Sequence, residues 1–575
     1  MSVSTSRAPR VVPGAARTLI QARLADGRIL EAPPGTPLAE IVCAAANPGD
    51  PLYIAAVMNG KLKELHEPLR KDSDVRPVSI EETDGARIYR RSLVFALVTA
   101  AAELYPEAAV YIEHSATSAA AYFCEVRGRE PFDARELARI EARMREIVAA
   151  DDPIEKIQLK TEEAIELVQK RGELDKAQLF ARRRREKLTL YSLRGRVDYF
   201  QGFMAPSTGY LRHFALSAFP PGFMLYFPHQ NRPGELELAE PYPKLFSVFA
   251  EAGRWLDTLG IRSAGALNEA IAAGRLPEIS LVAEALHEAK IAEIAAHIHA
   301  RVKTVKVVLI AGPTSSGKTT FSKRLAIQLL ARGRRPFPLA MDDYFLERER
   351  TPLGKDGRPD FETIHALDLP LFNEHLLALI EGRRAELPQF DFVSGRRVPG
   401  PVMTLGPDSI VIVEGIHGLN PALVSELPPD RLYRIYASAL TQLNLDRHNR
   451  VSTSDTRLIR RIVRDAAHRG WTARDTIGRW EQVTRAEKEN IFAFQEKSDA
   501  IFNSSLVHEL AVLRSFAEPL LLQVRPETPE FIEANRLLSF LAWFEPAPVG
   551  PVPDNSILRE FVGGSILERF RIWPV

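Results

Sequence analysis

The stretch Gly312-Pro313-Thr314-Ser315-Ser316-Gly317-Lys318-Thr319-Thr320 constrains this chain more than any other. It follows an apolar run, Val305 to Ala311, and opens a segment whose Phe321, Leu325, Leu329 and Leu330 recur at helical spacing. Strand, glycine-bracketed loop and helix start, in that order, are the context of a phosphate-binding loop. Backbone N–H groups of such a loop and of the helix N-terminus converge on an anion, and the helix dipole favours negative charge there. In that arrangement Lys318 reaches the outer phosphates of a nucleoside triphosphate, and the Thr319 hydroxyl ligates Mg²⁺. ATP and Mg²⁺ are therefore the expected cofactors, with GTP not distinguished from ATP.

At 575 residues the chain is too long for one core, and about three to five domains are expected. Hydrophobic residues at 45% and charged residues at 26% fit a soluble globular protein. A formal net charge of +1 supplies no global attraction to nucleic acid, so any RNA contact needs a local patch. Cys43 and Cys124 are far apart and form no CxxC, which points to a reducing compartment and away from disulfides and thiolate zinc sites. The longest apolar run, Leu93 to Ala102, is too short to span a bilayer. A cytoplasmic protein without membrane contact is expected. Residues 1–17 carry Arg7, Arg10 and Arg17 with no acid and read as a flexible tail, a transit peptide being the alternative.

From Val305 to about Leu510 strands and helices alternate, the pattern of a parallel sheet with helices on both faces. Phe337 to Met341 reads as a strand ending at Asp342-Asp343-Tyr344-Phe345, Ile410 to Val413 as one ending at Glu414-Gly415, and Tyr433 to Ala437 as a third. Ligands of such sheets gather beyond the carboxyl ends of the strands, so the glycine loop, Asp342 and Glu414 are expected in one crevice. There Glu414 is the Mg²⁺ partner of Thr319, and Asp342 the general base for an attacking hydroxyl. Asp343 is its rival, but neighbours on an extended chain face opposite ways, so only one serves. Farther on, Arg457, Arg461 and Arg464 fall on one helical face, with Ile459, Ile462 and Val463 on the other. That face fits a lid that clamps a phosphoryl group.

These motifs together resemble the uridine kinase and phosphoribulokinase family. The likeness rests on Gly312 to Thr319, Asp342-Asp343-Tyr344-Phe345, Phe361-Glu362 through Asp368, Phe390-Asp391-Phe392-Val393, Val413-Glu414-Gly415-Ile416 and Arg460-Arg461-Ile462-Val463-Arg464-Asp465. It implies that Asp342 is catalytic together with Lys318 and Arg464. It implies further that Glu362 and Arg461 bind ribose-type hydroxyls and that Arg464 and Arg469 lie near the phosphates. Where uridine kinases hold the pyrimidine with a tyrosine and a histidine, this chain has Phe390 and Gly395. Phe390 can stack on an acceptor but both polar contacts are gone, which leaves a hydroxylated, sugar-like or nucleoside acceptor as the class and makes uridine itself doubtful.

Residues 18–82 read as a β-grasp unit, with turns at Asp26-Gly27 and Asn59-Gly60 and a helix signal from Pro37 to Ala46. This unit resembles the TGS module of threonyl-tRNA synthetases, and residues 83–300 resemble the α+β editing domain that follows it. Where that family places two histidines four apart this chain has Arg91 and Phe95; where it has a cysteine and a histidine, Phe200 and Met204. None of the four can hold zinc or activate water, so the editing fold is expected without editing chemistry. The resemblance implies RNA as a partner, and the basic run Arg182 to Arg185 with Lys187 is a candidate contact, though such runs are usually solvated helix faces. Asp133 to Val148 has the stripe of an amphipathic helix, and His287, His297 and His299 fall on a connector helix without chelate spacing. Residues 301–510 would then be the kinase-like domain and 511–575 an extension packed on it. Ser556, Arg559, Gly563 and Gly564 in that extension receive no role. The function that follows is transfer of a γ-phosphate to a small hydroxylated acceptor; the alternative is an RNA-binding regulator with a nucleotide switch.

Overall fold

The computed structural model describes residues 18–116, 120–183, 185–238, 242–354, 357, 360–391 and 394–570. The expected tail with Arg7, Arg10 and Arg17, Arg184 of the basic run, and Phe392-Val393 lie outside them.

The first unit is a five-stranded sheet in which Ile20–Leu24 pairs in parallel with Ser73–Ser79, flanked by Ile29–Ala32 on one side and Tyr53–Met58 and Lys61–Glu64 on the other. One helix, Leu38–Ala45, crosses it because Leu38, Ile41, Val42 and Ala45 form a single apolar stripe over Ala22, Leu24 and Val75. The tight turn at Asn59-Gly60 has both residues at positive φ (48° and 75°), which asparagine and glycine tolerate best. This is a β-grasp arrangement.

Next come the long helix Thr83–Leu104, a four-stranded antiparallel sheet (Ala215–Phe219, Gly222–Tyr226, Ala121–Arg127, Ala109–Ala116) and a three-stranded one (Glu155–Lys160, Lys187–Leu193, Arg196–Asp198). The expected amphipathic helix is Ala134–Ala150, started by an Asp133/Glu136 capping box and buried through Leu137, Ile140, Met144 and Ile147. The Phe95 and Phe200 rings lie 4.9 Å apart, Ser92 Oγ contacts Met204 Sδ at 4.0 Å, and the Arg91 guanidinium packs against Gly202 while donating to the Phe203 carbonyl. Phe95, Phe200 and Met204 thus share one apolar core, and Arg91 is a cation tied to the backbone that follows Phe200. In the basic run, Arg183 donates to the Ala542 carbonyl at 2.6 Å and stacks over Trp543, so it serves packing.

The third unit holds a parallel sheet in the order Arg335–Ala340, Ser409–Gly415, Val307–Ala311, Leu432–Ser438, Ala500–Asn503. The last strand and the antiparallel ribbon Ala385–Asp391/Arg396–Met403 extend the pattern read from the sequence. The helix Glu509–Leu521 runs across the boundary expected at 510, because its Leu510, Val512 and Leu513 join a core that the parallel sheet shares with residues before 300 and after 530.

The three units interlock. From the kinase side, Asn444 Nδ2 donates to the Ile112 and Glu113 carbonyls at 3.1 Å, and the Arg447 carbonyl accepts from the Ile112 N–H at 2.8 Å. Beside them Lys176, Asp198 and His448 form a buried ionic cluster. Arg87, at the start of the long helix, pairs with Glu533 at 2.8 Å, while Arg536 pairs with Asp455 at 2.7 Å. Among the described residues no helix is long and apolar enough to cross a membrane.

Candidate active site

Val307–Ala311 is wholly buried at the centre of the parallel sheet and delivers the chain to Gly312 at the sheet's carboxyl edge. A side chain at Gly312 would meet the Ala437 carbonyl at 1.9 Å, so only glycine lets the loop leave the sheet there. The loop then turns through Ser315 (φ 56°) and Gly317 (φ 82°) into the helix Lys318–Leu330. Among the described residues, the N–H groups of Ser315, Gly317, Lys318 and Thr319 meet no protein acceptor, and the buried hydroxyls of Ser315 and Ser316 have no partner either. Buried hydroxyls are rarely left unmatched, and together with the open amides of the helix start they mark a place for an anion. Two carboxylates bracket it. Glu487 accepts from the Thr314 N–H at 2.7 Å, and Glu560 accepts from the Thr320 N–H at 3.1 Å and its hydroxyl at 2.8 Å. Lys318 folds over the loop and donates to the Gly312 and Pro313 carbonyls at 2.8 and 3.1 Å.

Thr319 Oγ1 donates to Glu414 at 2.9 Å, so these two side chains lie together at the sheet edge. Asp342 stands at the end of the neighbouring strand in a short 3-10 turn, Met341–Tyr344. It is exposed, and its carboxyl has no hydrogen-bond partner among the described residues. Asp343 is held by the Phe390 N–H at 3.1 Å, which leaves Asp342 as the member of the pair facing the crevice. Desolvation by the surrounding protein raises the Asp342 pKa, Asp343 adds to the rise, and Lys318 opposes it. Glu414 is raised by burial against the pull of Lys318 and Thr319, and Glu362 by burial against the pull of Arg461. Lys318 is lowered by burial while Glu414, Glu560 and Glu487 hold it up. Asp342 thus feels Lys318, Glu414 feels both of them, and Glu362 feels Asp342 and Arg461. Phe390 is buried and meets Phe345 edge-on at 5.8 Å, and Phe345 meets Phe361 at 5.5 Å, so an aromatic wall borders the crevice.

Residues 307–511 form a Phosphoribulokinase / Uridine kinase family domain. Its fold is the P-loop kinase fold with a parallel sheet. The N-terminal region is similar to threonine–tRNA ligases. That of Desulforamulus reducens is 28% identical over 199 residues, 34% of this chain and 31% of the relative. That of Acidithiobacillus ferrooxidans is 37% identical over 165 residues, 28% of this chain and 25% of the relative. The chain thus spans less than a third of the length of these relatives. A solved D-glycerate 3-kinase from Cryptococcus neoformans is 15% identical, covers 44% of this chain and 87% of its own, and superposes with a TM-score of 0.22, too low to add to the fold already described.

The arginine helix of the kinase domain, Thr453–Arg469, departs from a simple lid. Arg457 donates to the Thr314 carbonyl at 3.0 Å and pairs with Glu487; Arg460 donates to the Ser315 carbonyl at 3.3 Å and pairs with Glu509 at 2.6 Å. Both are buried, so the first half of the helix clamps the loop backbone, not a ligand. Arg461, Arg464 and Arg469 gather around the buried Asp465 at 3.2, 3.1 and 3.4 Å, and Arg461 also reaches the Thr314 hydroxyl at 3.3 Å. Arg469 is half-exposed at the helix end. Sequence reasoning assigned no part to Arg460, Glu487 or Glu560. Arg460 stood inside a quoted motif, and Glu560 in the stretch Asp554 to Phe561 left without a role; for Glu487 no local pattern pointed to the crevice.

Proposed function

We propose that the chain is an ATP-dependent kinase that transfers the γ-phosphate to a hydroxyl of a small sugar-like or nucleoside acceptor. The observation that carries this reading is the open set of loop amides, Ser315 and Gly317 to Thr319, with the Thr319–Glu414 pair and the unpartnered Asp342 around the same crevice. The amides hold phosphate oxygens, and Lys318 swings from its loop carbonyls onto the outer phosphates. Thr319 and Glu414 are hard oxygen donors of the kind Mg²⁺ takes, and the ion, when bound, neutralises phosphate charge. Asp342 accepts the proton of the acceptor hydroxyl, whose oxygen forms the new bond to phosphorus while ADP departs. A raised pKa brings that carboxylate closer to the ideal for a base at neutral pH. Arg464 and Arg469 lie near the transferred charge, and Glu362 and Arg461 bind the acceptor's hydroxyls beside Phe390.

The test is ADP release by the purified chain against panels of nucleosides and sugar alcohols, with RNA added in parallel. Acceptor-dependent turnover that Lys318→Ala abolishes supports the kinase. A second reading, a nucleotide switch responsive to RNA, draws on the likeness of the N-terminal region to threonine–tRNA ligases. Stimulation by RNA alone, with no phosphorylated small molecule, would favour the switch.

A further inference from the structure

The segment from Pro553 to Phe570 is wrapped around the phosphate loop it was given no part in. Ile557 Cγ2 lies 2.5 Å from where a side chain at Gly317 would begin, so the loop's second glycine is roofed by this segment. The Phe561 ring lies 4.9 Å from the guanidinium of Arg460, which itself holds the Ser315 carbonyl. Lys323, on the outer side of the loop helix, donates to the Leu567 carbonyl at 2.8 Å. Between these anchors Glu560 puts one carboxylate oxygen on both donors of Thr320, the third residue of the loop helix.

We infer that Glu560 is an internal competitor for nucleotide phosphate and sets the affinity of the loop. The inference rests on the nucleotide-binding reading above. The first N–H groups of a helix lack partners within it and point along the axis, so phosphate and carboxylate compete for the same donors and the same positive end of the dipole. The Thr320 N–H is next in line after the open amides of Lys318 and Thr319, so a phosphate chain lying along the helix start runs into Glu560. Two anions there repel, and one yields. Glu487 at the opposite rim differs, because Arg457 neutralises it. Among the described residues no cation forms a close ion pair with Glu560, though Lys318 feels its charge, and its hydrogen-bond donors are those of Thr320. Displacing Glu560 lifts the Ile557 roof with it, since the two sit three residues apart on one turn that leads into the helix Arg559–Val562.

The experiment measures the dissociation constant of a fluorescent ADP analogue for the full chain, its Glu560→Gln variant and its Lys318→Ala variant. Glutamine keeps an acceptor for Thr320 while removing the charge, so the fold is retained. The expected result is binding about five-fold tighter in Glu560→Gln, the size of one charge-assisted contact at a helix N-terminus, and weaker binding in Lys318→Ala. Amide hydrogen exchange across 554–569 should speed up when ADP is added. Unchanged or weaker binding in Glu560→Gln, or slower exchange on adding ADP, overturns the inference and makes the segment a wall of the site. Failure of every form, wild type included, to bind the analogue overturns both this inference and the nucleotide-binding reading.

Discussion

Glu64 is a buried carboxylic acid and Asp342 an exposed one at a strand end, and their surroundings push them in opposite directions. Glu64 sits at the seam between the β-grasp unit and the editing-like unit. Burial there works against its charge, but His66, Lys156 and Tyr191 outweigh it and hold the pKa at about 2. Asp342 has desolvation by the protein around it and a like-charged neighbour, and only the distant pull of Lys318 against them, so it rises. The same contrast separates whole regions. The Glu64 carboxylate is matched by Lys156, Tyr191 and the Met204 N–H, and the Phe95 and Phe200 rings pack against each other beside it. Around Asp342 four backbone donors and a carboxyl wait for partners. A seam that only holds the molecule together satisfies its own chemistry, whereas a site that acts leaves chemistry open for something else.

Four variants test that contrast, in descending order of expected effect. Asp342→Asn should lower kcat about 10³-fold, the weight of a positioned base, in an ADP-release assay with the acceptor in hand. The acid limb of the wild-type pH–rate profile should lie above the ordinary aspartate value of 3.8. Because the folded pKa is raised, ionising Asp342 costs stability, so this variant should unfold no earlier than wild type; an earlier melting temperature would contradict the contrast. Phe200→Ala should cost about 4 kcal/mol in denaturant unfolding, by transfer and cavity together, with no comparable loss of turnover per folded molecule. Glu64→Gln should cost about 3 kcal/mol at neutral pH, because the folded state holds this carboxyl well below the ordinary glutamate range. A depressed folded pKa stabilises above the unfolded value and is lost as the pH falls through the folded one. The gap between Glu64→Gln and wild type should therefore close between the ordinary glutamate value of 4.5 and about 2, and a gap independent of pH would show that charge is not what holds the seam. Smallest of all, Arg23→Ala removes an exposed pair with Asp74, both more than half exposed, and should change stability by less than about 0.5 kcal/mol.

Much of the kinase fold was legible in the residues. Four of the five parallel strands announce themselves as apolar runs, and the β-grasp hairpins by Asp26-Gly27 and Asn59-Gly60. The strand Ala500–Asn503 escaped because only four residues form it, too few for a periodicity to register. The ribbon 385–403 escaped because its faces are largely polar and proline-broken. The arginine helix was visible as a helix. That Arg457 and Arg460 face the loop's carbonyls follows only once the loop and the helix pack together.

What the residue order by itself determined is local: a glycine where the backbone must leave the sheet, amides presented by a helix start, and acids at the ends of apolar strands. These follow from steric limits and dipoles acting over a few residues. What only the tertiary structure decided is which groups from far along the chain enter the crevice. Glu487 reaches Thr314 across 173 residues and Glu560 reaches Thr320 across 240. No spacing rule spans such distances, because contacts of that kind are chosen by how whole helices pack, and packing depends on every side chain in the core at once.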